Sequence, residues 1–162
     1  MDIHKAAENN DTDTLRQFLA FGKDINARGN SLTPLMMAVA EGANDAVTVL
    51  LQHGADINLQ AKDGTTALMF AAMYGYGDFV SLLLDHSTQI DTQDNKGWAA
   101  LHHAIQANNV EIIALLLSRG ANPRLKTKKR QTVLDIAIEC KHIEAADTLM
   151  TQCVKFEDTL AA

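Results

Sequence analysis

The apolar positions of this chain fall in short groups separated by turn residues. Leu35, Ala38 and Val39 share one face at spacings of three and four, which predicts a helix. Thr33 offers a hydroxyl to a free backbone N–H of the first turn, and Pro34 takes the first helical position, where its missing N–H is not needed. The helix is expected to begin there and to end at Gly42. Asp45 is expected to open a second helix whose Val47, Leu50 and Leu51 form another apolar face. Gly54 then closes it before an extended link through Asp56-Ile57-Asn58. The predicted unit is helix, turn, helix, extended loop.

That unit recurs along the chain. Thr33-Pro34-Leu35-Met36-Met37-Ala38-Val39 returns as Thr66-Ala67-Leu68-Met69-Phe70-Ala71-Ala72, as Ala99-Ala100-Leu101-His102-His103-Ala104-Ile105, and as Thr132-Val133-Leu134-Asp135-Ile136-Ala137-Ile138. Leu35, Leu68, Leu101 and Leu134 are each 33 residues apart. A second landmark keeps step: Leu50-Leu51-Gln52-His53-Gly54-Ala55-Asp56, then Leu83 to Gln89, then Leu116 to Asn122. An incomplete earlier copy runs from Ile3-His4-Lys5-Ala6-Ala7 to Asp24-Ile25-Asn26. Two landmarks at one period are the mark of a repeat architecture.

With these residues in hand, the chain resembles the ankyrin-repeat family, whose unit reads Gly-x-Thr-Pro-Leu-His-x-Ala-Ala followed by a Leu-Leu and Gly-Ala-Asp ending. The resemblance covers about residues 1–153. It implies an all-α ankyrin-repeat solenoid of helix-turn-helix units joined by extended, β-hairpin-like loops. The expected division is an N-terminal cap repeat at 1–27, inner repeats at 28–59, 60–92 and 93–125, a C-terminal cap repeat at 126–153, and a tail at 154–162. One helix pair cannot bury its apolar stripe alone, so end units need a wetter outer face. Lys5, Asn9, Asn10 and Arg16 at one end, and Lys141, Glu144 and Asp147 at the other, read as such caps.

The resemblance further implies that loop tips and first helices line a concave surface that holds a partner protein, as in an adaptor, an effector or an inhibitor of the immunity type. Tips would carry Arg28, Asn30 and Leu32, then Lys62, Asp63 and Thr65, then Asn95, Lys96 and Trp98, then Lys128, Lys129 and Gln131. First-helix ends facing the groove would carry Ala40 and Glu41, Met73 and Tyr74, Gln106 and Ala107, Glu139 and Cys140. Trp98, the single Trp, is expected on an exposed tip. Aromatic anchors and adaptable Met side chains favour interfaces, so Trp98, Met73, Tyr74 and Tyr76 are expected to form one central patch. The competing reading packs Trp98 over its own loop and helix. Met69 and Phe70 read as core.

Charge narrows the partner class. The formal net charge is -6 over 162 residues, which argues against a nucleic-acid footprint over the whole surface. Lys and Arg number seven against fourteen Asp and Glu up to Asn122, and seven against six after it, so any anionic partner would meet the C-terminal part. The run Arg124-Leu125-Lys126-Thr127-Lys128-Lys129-Arg130 is the one dense basic segment. It reads as a solvated loop, with docking of an acidic protein or phosphate as the alternative.

No chemistry of catalysis stands out. His102 and His103 are adjacent, and Cys140 lies two residues from His142, but neither spacing suits a helical metal pair. The resemblance instead implies that His102 bonds nearby loop backbone. No nucleophile elbow, phosphate loop or paired-carboxylate signature is present. The reading is a non-enzyme with no cofactor and no metal. Cys140 and Cys153 read as packing residues, and a cytosolic, reducing setting is expected. No apolar run is long enough for a membrane span. A monomer is expected, with a self-associating structural repeat protein, its homomeric interface formed by Trp98 and the central patch, as the alternative. The replacements Ser87-Thr88-Gln89 for Gly-Ala-Asp and Ala99-Ala100 for Thr-Pro weaken two corners beside the central units. The Leu160-Ala161-Ala162 ending resembles the end of a protease-recognition tag.

Overall fold

The computed structural model describes the backbone of residues 2–160 and the side chains of residues 2–151. Among the described residues ten helices alternate between a first-helix and a second-helix layer. The first layer is α1 (Ile3–Glu8), α3 (Pro34–Ala40), α5 (Ala67–Tyr74), α7 (Ala100–Gln106) and α9 (Val133–Glu139). The second is α2 (Thr12–Ala20), α4 (Asn44–Gln52), α6 (Gly77–Leu84), α8 (Val110–Ser118) and α10 (Ile143–Leu160). Each first helix packs on its own partner and on the first helix of the next unit. The architecture is therefore the all-α repeat stack that the period predicts.

Helix starts follow the sequence where a Thr is present. Thr33, Thr66 and Thr132 each accept from the backbone N–H three residues on, at 3.3 Å. Ala99 has no side-chain oxygen, and α7 starts without that cap. Helix ends repeat as well. The turn between the two helices passes through a left-handed residue at Asn10, Gly42, Gly75, Asn108 and Lys141 in successive units. Glycine adopts that conformation without a Cβ penalty; Asn tolerates it better than most.

Second helices start differently from expectation. α4 begins at Asn44 with Ala43 at its cap position, one residue ahead of Asp45, and Ala43 offers no side-chain bond. The bond comes from the preceding unit: Asn10 Oδ1 accepts from Ala46 N at 2.8 Å, and Asn10 Nδ2 donates to Asp45 Oδ2 at 3.1 Å. Asn10, expected as a solvent-facing cap residue, is thus a connector between units.

The core is a continuous sheet of small and branched residues between the layers. Leu35, Leu68 and Leu101 are at most 2% exposed, with Leu50, Leu83 and Leu116 behind them at 0%. Burying such a side chain contributes about 1.5–3 kcal/mol, and because each faces two units the stack is stabilised unit by unit. Met69 is buried as expected, and Phe70 is half-buried.

The C-terminal end is only partly wet. Lys141, Glu144 and Asp147 are exposed, but so are Ile138 at 63%, Ile143 at 75% and Met150 at 50%. Ile105, which stands where Ile138 stands one unit earlier, is fully buried. The last unit therefore keeps the stacking face of an inner unit beside its polar residues. α10 also runs unbroken to Leu160, across the expected boundary at residue 153. Ala161 and Ala162, on which the tag-like ending rests, lie outside the described residues, as does the Cys153 side chain. Cys140 is exposed, not packed.

Candidate protein-binding groove

Extended links between units end in hairpin tips, and their backbone is tied both within and between units. Ala61 N donates to Thr65 O at 2.8 Å, Asp94 N to Trp98 O at 2.9 Å, and Thr127 N to Gln131 O at 3.0 Å. Neighbouring tips then bond each other: Asn95 N to Asp63 O at 2.8 Å and Lys128 N to Lys96 O at 2.9 Å. Gly64 and Gly97 make this approach possible. A Cβ on Gly97 would lie 2.7 Å from Lys128 N, and one on Gly64 2.8 Å from Asn95 N. Side chains add rungs of the same register. Gln60 Nε2 donates to Gly64 O and Gln93 O, and Gln93 Nε2 to Gly97 O and Lys126 O.

This framework decides what the expected site residues do. Lys62, Asp63, Lys96, Lys128 and Lys129 are exposed on the tips. Asn95 is exposed but braced, since Asn95 Nδ2 donates to Lys62 O at 3.1 Å in addition to its backbone bond. The Thr65 N–H bond to Asp63 Oδ1 holds that carboxyl below the usual range. Thr65 is buried, so it is not a tip contact. The basic run is more than a solvated loop, because Thr127 is buried and the Lys126 carbonyl accepts from Gln93; its charged ends at Lys128, Lys129 and Arg130 stay exposed.

Trp98 departs from the expectation of an exposed tip. It is half-buried and packs against the core, with its ring centroid 6.1 Å from His102 and 5.3 Å from His103. The physical reason lies beneath it. Asp94 Oδ1 accepts from Lys96 N at 2.7 Å and Trp98 N at 2.9 Å, which folds the tip back over α7. Asp94 Oδ2 sits 3.4 Å from His103 Nε2, a long and buried approach. Burial pushes the His103 imidazole below its ordinary pKa, and the Asp94 charge opposes that shift. His102 is fully buried, and burial pushes its pKa down to about 4. Its Nδ1 accepts from Ala99 N at 3.1 Å, so the ring proton sits on Nε2. This is the loop-backbone bond implied for His102, and it fastens the entry to α7.

The other aromatic residues gather at the far end of α5. Phe70 stacks on Tyr74 at 6.3 Å and 8°, Tyr74 meets Tyr76 at 6.1 Å, and Tyr76 meets Phe79 edge-on at 5.5 Å. Tyr74 is 52% exposed, Met73 and Tyr76 are half-buried, and Gln106 is exposed. Trp98 precedes its helix and Tyr74 ends its own, so the two flank the first-helix layer from opposite ends, about a helix length of 10–12 Å apart. The expected single patch is two. In the last unit, Gln131 Nε2 reaches across to Glu139 Oε2 at 2.7 Å.

The arrangement joins a row of hairpin tips tied by backbone bonds to a layer of first helices, with one aromatic cluster at the far end of α5. Among the described residues no three His, Cys, Asp or Glu side chains converge as metal ligands. Nor is any described helix long and apolar enough to cross a membrane. The family model for ankyrin repeats (3 copies) matches residues 3–94, 54–127 and 87–158. The chain belongs to the ankyrin-repeat family. Ankyrin repeats are generally protein–protein interaction modules, and the family is typically non-catalytic.

Similarity to individual ankyrin proteins is local. The chain is 39% identical over 66 residues to an E3 ubiquitin-protein ligase, KEG, of Arabidopsis thaliana, covering 40% of this chain and 4% of that protein. It is 40% identical over 62 residues to the potassium channel AKT1 of Oryza sativa subsp. indica, covering 38% and 7%. It is 41% identical over 64 residues to the human 2-5A-dependent ribonuclease, covering 38% and 9%. The chain thus spans less than a tenth of the length of these relatives. What it shares with them is the repeat.

Asp94, His103 and Phe70 brace the 94–98 hairpin and the Tyr74 ring without having been singled out for that role. Asp94 stands where neighbouring units have Ala61 and Thr127, so a charged residue in a small-residue position was the available signal.

Proposed function

We propose that this chain is a non-catalytic module that holds one partner protein in the groove, acting as an adaptor, an effector or an inhibitor in the cytoplasm. The observation that carries the reading is Tyr74, half exposed on a stacked Phe70 at the end of α5, a helix that packs on α7, which ends at exposed Gln106. A pre-positioned ring loses little freedom on binding, which favours it as an anchor. Met73 and Tyr76 extend that contact, Trp98 presents its open side from the hairpin end, and Lys62, Asp63, Asn95, Lys96, Lys128 and Lys129 form the polar rim. The five-unit division is proposed as the working organisation, with its inner units as the contact surface.

The test is affinity capture from the native cells with wild type, Tyr74→Ala and Trp98→Ala. Loss of the same captured protein in both folded variants supports the groove; capture unchanged in both contradicts it.

The exposed end face of Ile138, Ile143 and Met150 favours a second reading, self-association through the last unit. Sedimentation over a concentration range separates the two. A persistent monomer contradicts self-association, and a dimer abolished by Ile138→Glu supports it.

A further inference from the structure

Charge is sorted across each repeat. The hairpin edge carries exposed Arg28, Lys62, Lys96, Lys128, Lys129 and Arg130, against exposed Asp63 on a tip and exposed Asp135 in the first turn of α9. Asp94, the other acid of the tips, is buried against His103 and two backbone N–H groups. The opposite edge carries acid at a fixed place in every unit: Asp13, Asp45, Asp78, Glu111 and Glu144 all stand in the first turn of a second helix. First helices run from the hairpins to those turns, so the groove has a mainly basic edge and a mainly acidic edge, the latter also carrying exposed Lys141.

The basic edge is held in register. Inter-tip bonds fix Lys96 and Lys128 relative to each other, and the Arg28 guanidinium donates to Gln60 O at 2.7 Å, tying the first tip to the second link. Between the first two tips lies an open cleft of about 540 Å3, with Leu32 and Ala61 on its floor and Lys62, Asp63 and Asn95 at its rim. The first tip is a tighter turn closed by Gly29 and Leu32, which leaves this gap where later tips bond directly.

We propose that the groove takes an acidic protein segment, lying along the hairpin edge with its carboxylates on the tip cations and an apolar side chain in the Leu32–Ala61 cleft. Charge complementarity is the reason: the acidic edge repels such a segment and the tip cations attract it, so it lies toward the tips. A nucleic acid fits less well. A regular polyanion seeks a continuous basic face, and here each cationic tip is backed by an acidic turn across the floor. The proposal rests on the groove reading above and specifies its partner.

The experiment titrates the full chain with a fluorescent 14-residue peptide of alternating Glu and Gly bearing one Leu near its end. A matched Lys peptide and a single-stranded 14-mer of thymidine are the controls. Binding is read by anisotropy at 20 and 300 mM NaCl, and by amide chemical shifts. The expected result is acidic-peptide binding at least tenfold tighter at low salt, with shifts at Lys62, Lys96 and Lys128 and at Ala61. Lys62→Glu/Lys96→Glu/Lys128→Glu should lose that binding by tenfold or more, while Asp78→Lys/Glu111→Lys on the far edge should keep it. A folded triple variant that binds as well as wild type overturns the proposal, as does an oligonucleotide bound as tightly as the acidic peptide. Shifts confined to Tyr74 and Gln106, with the triple variant unaffected, would keep the groove and reject the acidic partner. No binding of the acidic peptide at 20 mM NaCl also rejects it, leaving the groove reading to the capture experiment.

Discussion

Asn10 Oδ1 accepts the backbone N–H of Ala46 at 2.8 Å, so the turn of the first unit caps the second helix of the next. Ala43, at the cap position of that helix, makes no such bond. Asn10→Gly keeps the left-handed backbone at φ 55° and removes both inter-unit side-chain bonds, the one from Ala46 N and the one to Asp45. Loss of these hydrogen bonds should destabilise the chain by about 1 kcal/mol in urea unfolding. Asn10→Ala adds a backbone penalty and should cost about 2 kcal/mol. Equal stability of Asn10→Gly and wild type would show that the inter-unit bonds contribute nothing.

Gly97→Ala tests whether the tips stack backbone to backbone. The residue has φ 78°, and the added Cβ would sit 2.7 Å from Lys128 N. Strain and a displaced tip together should cost more than about 2 kcal/mol. Gly120→Ala is the control: its φ is 90°, but nothing lies within 4 Å of its Cβ, so it should cost about 1 kcal/mol. Matching losses would mean that the close approach of the tips carries no weight.

Two central corners can be repaired. Ser87 keeps the left-handed turn at φ 61°, with the Thr88 hydroxyl donating to the Leu83 carbonyl, and Ala99 leaves α7 without a side-chain cap. Ser87→Gly and Ala99→Thr should each stabilise by about 0.5–1 kcal/mol. Thr33 and Thr66 fit the same buried position in other units, so the Ala99 change meets no steric objection. The two sites share no partner, and their effects should add in a double variant. A thermal melt that falls in either single variant contradicts the assignment.

Buried imidazoles make stability depend on pH. Burial lowers the His102 pKa from 6.5 to about 4 despite the Leu125 carbonyl, and burial lowers His103 against the pull of Asp94. The unfolded chain therefore binds more protons between these values, and stability rises with pH across that window. The neutral-ring contribution is fully present above pH 6.5 and lost as pH falls toward 4. For His102 the loss is on the order of 3 kcal/mol. His102→Gln should flatten the melting-temperature profile between pH 6.5 and 4. A profile as steep as that of wild type would locate the sensitivity elsewhere.

How much of this was legible in the sequence follows from what each residue answers to. The helix pairs were readable because Leu35, Leu68, Leu101 and Leu134 must each face a neighbouring unit, and a 33-residue period repeats that demand. Thr33 and Thr66 announced helix starts through local chemistry, and Ser87 a strained turn through the absence of Gly. What stayed hidden was decided between units. Asn10 looked like a solvated end residue because its partner lies 36 positions away. Trp98 looked exposed because its burial depends on Asp94 folding the tip over His103. The end face looked polar because Lys141, Glu144 and Asp147 are conspicuous in sequence, whereas the exposure of Ile138 depends on what stacks against it.

Site-specific photocrosslinking tests the central claim, that a protein partner sits on the first helices and hairpins. A benzophenone side chain would replace Tyr74, Gln106 or Lys96 in the groove, and Thr48 or Ser118 on exposed positions of the second-helix layer. After irradiation in the native cells, the groove positions should trap one common protein and the second-layer positions should not. Trapping from Thr48 and Ser118, with none from Tyr74, Gln106 or Lys96, would contradict the account.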